Sequence, residues 1–137
     1  MTPIINAERL LNTFLELCAI DAEPTRERPM ADRLTSLLME RGFAVNEDDT
    51  GSRLGGNAGN LYATLPGTGP GETLLFSCHM DRVAPGTGVK PHREGDYIVS
   101  DGSTVLGADD VAGLAAVLEG ITAVQEQGLS HPPWQLL

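Results

Sequence analysis

Thr73-Leu74-Leu75-Phe76-Ser77-Cys78-His79 carries apolar side chains at both odd and even positions. A strand open to water on one side alternates apolar and polar residues. A run apolar on both faces is expected of a strand buried within a sheet. Upstream, Leu61 to Leu65 reads as a second strand, and Pro66-Gly67-Thr68-Gly69-Pro70-Gly71 turns the chain between the two. Phe43 to Asn46 reads as a short strand, followed by a polar, glycine-rich connection from Asp48 to Asn60. Downstream, Asp96 to Ser100 and Thr104 to Leu106 could form a hairpin about Asp101-Gly102. Pro132-Pro133-Trp134-Gln135-Leu136-Leu137 looks like the opening of a further strand.

Around these strands the period changes to that of helices. Leu10, Leu11, Phe14, Leu15, Leu17 and Cys18 form one stripe behind Asn6, a suitable N-cap. Pro29 suits the first turn of a second helix, in which Met30, Leu34, Leu37, Leu38 and Arg41 recur at three and four and Gly42 is the stop. Val111 to Gln127 predicts a third helix, with Leu114, Ala115, Leu118 and Ile121 on its inner face and Gly128 after it. The expected fold class is α/β, a three-layer α/β/α arrangement with helices on both faces of a mixed sheet.

Composition narrows the function classes. The 137 residues include 9 Lys plus Arg against 19 Asp plus Glu, a formal charge of -10, which disfavours nucleic acid and anionic lipid as partners. A hydrophobic content of 41% is too high for intrinsic disorder. Glu8, Arg9 and Glu16 interrupt any signal-peptide core, and the longest apolar run, Val111 to Leu118, is far short of the ~20 residues that span a bilayer. Cys18 and Cys78 make no CxxC and no disulfide framework, so a soluble cytoplasmic protein is expected.

Two local features could carry chemistry. In His79-Met80-Asp81, at the end of the central strand, alternation puts His79 and Asp81 on one face, where a carboxylate can orient the imidazole as a metal ligand. Taken alone, such a triplet is a weak signal. Gly107-Ala108-Asp109-Asp110 stands just before the third helix, and an aspartate there serves equally well as helix cap or as ligand for a divalent ion. His92, among Lys90, Arg93 and Glu94, reads as solvated surface, and so does His131 before two prolines. Cys78 points away from His79 and reads as a core thiol, and Ser77 lies in no GxSxG elbow. The glycines of 51–59 carry neither a Walker lysine nor a dinucleotide fingerprint.

Leu74 to Asp81, Ser100-Asp101-Gly102, Leu106 to Asp110 and Ala112-Gly113-Leu114-Ala115-Ala116, in this order and spacing, resemble the dinuclear zinc exopeptidases. The similarity is greatest to the tripeptide aminopeptidase (peptidase T-like) branch of the aminoacylase and carboxypeptidase group. It covers nearly the whole chain, including Gly55 to Leu61. A neighbouring aminopeptidase family shares HMD and DD elements but inserts a domain between them, whereas His79 and Asp109 are only thirty residues apart. The resemblance implies that His79 binds one zinc, that Asp109 bridges two, and that Asp81 is a catalytic residue orienting His79. It also implies a cis peptide at Asp109–Asp110. Arg82 and Val111 depart from the family pattern, Arg82 with a possible bearing on substrate charge and Val111 on the surroundings of the metals.

The resemblance further implies a zinc-dependent exopeptidase acting on small peptides through a metal-activated water. Residues 1-137 would be the N-terminal part of its catalytic domain, without the lid and dimerisation domain. The chain ends on Leu136-Leu137 before the Glu-Glu pair that supplies the general base and a further ligand, so it is expected to be inactive alone. Its expected partners are a small peptide substrate, the remainder of the catalytic domain and, in the full-length enzyme, a second copy. The alternative is a non-catalytic binding or assembly module that pairs through an unfinished sheet edge.

Overall fold

The computed structural model describes residues 5–137, and the apolar periodicities emerge in it as four helices and six strands among those residues. Helix α1 (Ala7–Ala19) starts at Asn6, whose side chain accepts the Arg9 N–H, and buries Leu17 and Cys18 completely. Leu10, Leu11, Phe14 and Leu15 on the expected stripe are only half-buried. Helix α2 (Arg28–Glu40), with proline in its first turn, buries Met30, Ala31, Leu34, Leu37 and Leu38. Strand β1 (Ala44–Glu47) follows, and the polar connection beyond it contains an unexpected short helix, α3 (Thr50–Leu54). Strand β2 (Leu61–Leu65) falls where its alternation places it.

Strand β3 (Leu74–Phe76) is shorter than its apolar run. The order of the main sheet is β1-β2-β6-β3, where β6 is Trp134–Leu136. β6 runs antiparallel to β2 and parallel to β3, with Phe76 opposite Leu136. β3 is therefore an edge in this sheet rather than an interior strand, and Leu74 and Leu75 are 49% and 59% exposed. The hairpin also lies elsewhere than expected. It joins β4 (His92–Glu94) to β5 (Tyr97–Val99) about Gly95-Asp96, because Asp101 closes its own turn by accepting the Ser103 N–H at 2.9 Å.

Helix α4 (Ala108–Glu126) is interrupted at its start by non-helical torsions at Asp109 and Asp110, so regular helix begins at Val111. The α/β class and the mixed sheet agree with the sequence reading. Leu61 and Ala63 of β2 are buried with Trp134 against the helices, while Tyr62, Thr64, Leu75 and Gln135 of the opposite face are exposed. Helices on both faces are the sequence expectation; among the described residues, α1, α2 and α4 pack on one.

One charged group is built into that helical layer. Glu119 of α4 is 3% exposed and takes Arg9 Nε at 2.6 Å, Arg9 Nη2 at 2.9 Å and the Asn6 N–H at 2.8 Å. Hydrogen bonds from Arg9 hold its carboxyl below the usual range. The stabilisation is therefore complete above the unfolded value of about 4.3 and is lost as pH falls through the lowered folded value. Glu119→Gln is expected to cost about 2 kcal/mol in urea unfolding at pH 7, and to lose less stability than the parent below about pH 4, where Glu47, Asp48 and Asp101, also held low, still titrate.

Candidate metal centre

The two features singled out in the sequence meet at one end of the sheet. Past β3 the ladder continues for one more bond, from the Cys78 N–H to the Leu137 carbonyl at 3.0 Å, and carries the backbone to His79. His79 Nδ1 lies 3.0 Å from the Asp81 backbone carbonyl and 3.2 Å from Asp81 Oδ1. Both partners only accept, so Nδ1 carries the proton. His79 Nε2 lies 3.0 Å from Asp109 Oδ1. Burial lowers the imidazole pKa, but the Asp109 hydrogen bond, the Asp81 carbonyl and the two carboxylates outweigh it, and the net shift is upward.

Of the two roles that the sequence left open for the paired aspartates, Asp110 takes that of helix cap. Asp110 folds back to accept the Gly113 N–H at 3.2 Å, three residues on, as an N-cap does. Asp109 turns outward with its side chain 95% exposed and faces His79. The peptide between them is cis, as the resemblance implies. Asp110 also lies beside Cys78, whose half-buried thiol is pushed up to about 11 by burial and by that carboxylate, leaving an unreactive core thiol. A cavity of about 440 Å³ opens behind His79 and Asp81, walled largely by Leu34, Leu38, Phe76, Leu114, Leu118 and Leu136.

His79 and Asp109 fit a metal by the chemistry of their donors. An Nδ1 proton fixed on Asp81 leaves the Nε2 lone pair available, the arrangement that orients histidine ligands. Two ligands of a tetrahedral zinc lie roughly 3.3 Å apart, so Nε2 and Oδ1 need separate by only a few tenths of an ångström. Among the described residues no group of three or more His, Cys, Asp or Glu side chains is arranged to hold a metal ion.

Other residues depart from their sequence reading. His131 is 7% exposed rather than on the surface, because its ring stacks on Trp134 at 3.8 Å and its Nδ1 lies 2.8 Å from the Pro132 carbonyl. His92 is exposed and pairs with Glu94. Arg82 is 2% exposed and donates to the Leu17 and Cys18 carbonyls, so it does not face a substrate. Val111 is 3% exposed and packs in the core.

No protein-family model matches the chain. Aminopeptidase PepT from Bacillus cereus ATCC 10987 superposes with a TM-score of 0.93 at 46% identity, over 96% of this chain and 36% of that one. A tripeptidase (SAV1512) from Staphylococcus aureus Mu50 superposes with a TM-score of 0.93 at 43% identity, over the same shares. The uncharacterized protein YqjE of Bacillus subtilis strain 168 is 46% identical over 128 residues, 93% of this chain and 34% of its own length. The chain thus spans about a third of the length of these relatives.

The double contact of His79 has a direct readout. In the metal-free chain its imidazole should titrate above the ordinary 6.5 by NMR, and Asp109→Asn should bring that value down. A His79 titrating at or below 6.5 in the parent would contradict the contact.

Proposed function

Since the chain is a partial counterpart of the PepT-like peptidases, we propose that it supplies part of the active site of a zinc-dependent exopeptidase acting on small peptides. His79 and Asp109 are the metal ligands in this reading, and Asp81 is the catalytic residue that orients His79. The observation that carries it is the approach of His79 Nε2 to Asp109 Oδ1 at 3.0 Å, with Nδ1 anchored on Asp81. Residues recruited from two separate segments, thirty positions apart, converge on one point in space.

A bound zinc pair would supply Lewis acidity, making a water nucleophilic near neutral pH and polarising the scissile carbonyl. The chain's own residues prepare for it. Asp81 selects the tautomer of His79 and fixes its ring plane. Asp109, exposed and with two oxygens, can serve two ions at once. Asp110 starts α4 and keeps its carboxylate away from the Asp109 pair.

Among the described residues His79 and Asp109 are the two ligands of this reading, whereas a tetrahedral site needs three or more. We assign the remaining ligands, the general base, the lid and any dimer contact to sequence outside these residues, and read the 137-residue chain alone as inactive. The free thiols Cys18 and Cys78 favour a cytoplasmic location. No helix among the described residues is long and apolar enough to cross a membrane. The other reading, an assembly module without catalysis, draws on the exposed Leu74 and Leu75 of the edge strand β3.

A chimera separates the two. Replacing the matching third of the Bacillus cereus aminopeptidase by this chain should preserve zinc-dependent tripeptide hydrolysis. His79→Ala or Asp109→Asn in that chimera should lower kcat/KM about a thousandfold, the rate equivalent of losing several kcal/mol of metal-assisted stabilisation. A folded chimera without activity, or one indifferent to both substitutions, would favour the assembly module.

A further inference from the structure

Arg82 follows Asp81 directly and is buried to 2% exposure, with no carboxylate within ion-pair distance among the described residues. A cation in that position costs folding energy unless its donors are met. Two of them are met by one helix end. Nη1 donates to the Cys18 carbonyl at 2.5 Å and Nη2 to the Leu17 carbonyl at 3.0 Å, in the last turn of α1, where the helix dipole favours positive charge. The Arg82 backbone N–H donates to Ala22 just beyond, at 2.9 Å. Both backbone and side chain of this residue are thus tied to the end of α1.

The other side of the guanidinium is closed by glycine. A Cβ on Gly107 would stand 3.0 Å from Arg82 Nε and 3.1 Å from Cδ and Cζ, and one on Gly86 would stand 2.7 Å from Cγ. Gly107 also has φ 80°, which a side chain would strain. Nε is buried without a hydrogen-bond partner, so packing against Gly107 outweighs satisfying it. Gly107 lies two residues before Asp109. The planar group is therefore wedged between the end of α1 and the segment that presents Asp109, while its backbone continues directly from Asp81.

We infer that Arg82 is a positioning residue, which sets the distance between His79 and Asp109 by clamping the Asp81 loop and Gly107 to the end of α1. Its importance for a peptidase rests on the function proposed above, but the clamp itself does not. A lysine has the charge, but its donors share one nitrogen, so it has no plane to lay against Gly107 and no fork that spans the Leu17 and Cys18 carbonyls.

The test uses the His79 imidazole nitrogen resonances of the metal-free chain, with thermal unfolding run alongside. Arg82→Met should shift the Nε2 signal towards that of an imidazole free of Asp109, and Arg82→Lys, which is expected to fold, should shift it part of the way. Arg41→Met is the control. Arg41 likewise holds helix carbonyls, through Leu37 at 2.7 Å, and its loss should lower stability without moving His79. Zinc affinity, from competition with a chromophoric chelator, should weaken about tenfold in Arg82→Met. A folded Arg82→Lys with parental His79 signals, or Arg41→Met moving them equally, would overturn the inference. If the parent binds zinc no better than His79→Ala, the metal reading fails, while the metal-free spectra still decide the clamp.

Discussion

The His79 ring sits between two acceptors that a neutral imidazole cannot serve at once. The Asp81 carbonyl takes the Nδ1 proton, and Asp109 stands at hydrogen-bond distance from Nε2. Either a second proton or a cation must occupy the space between Nε2 and the carboxylate. A proton makes the ring cationic, and the acceptors and carboxylates that favour that charge raise its pKa. A metal shared by the two residues does the same electrostatic work and leaves the imidazole neutral. In the proposed reading, proton and metal would be alternative occupants of this space.

The remainder of the fold brings these three residues together and keeps them apart from their neighbours. The parallel register of β3 on β6 delivers the chain to His79, and the Asp110 cap fixes where α4 begins. Beneath them, Leu114 and Leu118 of α4 pack with Leu34 and Leu38 of α2 and with Trp134 of β6 in one core. Arg82 adds the lateral constraint, joining the Asp81 loop to α1 across more than sixty residues of sequence. An imidazole held by its own strand and a carboxylate held by a separate helix need such a tie if their spacing is to be set to within a few tenths of an ångström.

Regular periodicity was legible in the sequence, and contacts between distant segments were not. Helices α1 and α2 and strand β2 follow from spacing and capping residues, because their stabilising pattern is local. Helix α3 has five residues and too little length for a period to show. Two Asp/Gly pairs compete for the hairpin, Gly95-Asp96 and Asp101-Gly102, and the second is diverted by the Asp101 side chain bonding its own backbone neighbour. Types and spacings made His79, Asp81 and Asp109 candidates and only the resemblance gave them roles, while their convergence and the Asp81 carbonyl contact come from the fold. His131 reads as surface from its neighbours in sequence, and it is buried, as are the charged Arg82 and Glu119, by partners that no local pattern announces. For His131 the partner is Trp134, brought over the ring by the intervening Pro132-Pro133.

Zinc-edge anomalous diffraction from crystals of this chain grown in millimolar zinc tests the central claim most directly. The account predicts a peak between His79 and Asp109, about 2.0–2.2 Å from Nε2 and from a carboxylate oxygen, with His79 Nδ1 still on Asp81. A peak confined to other residues, with His79 Nε2 and Asp109 Oδ1 still bonded directly to each other, would contradict it.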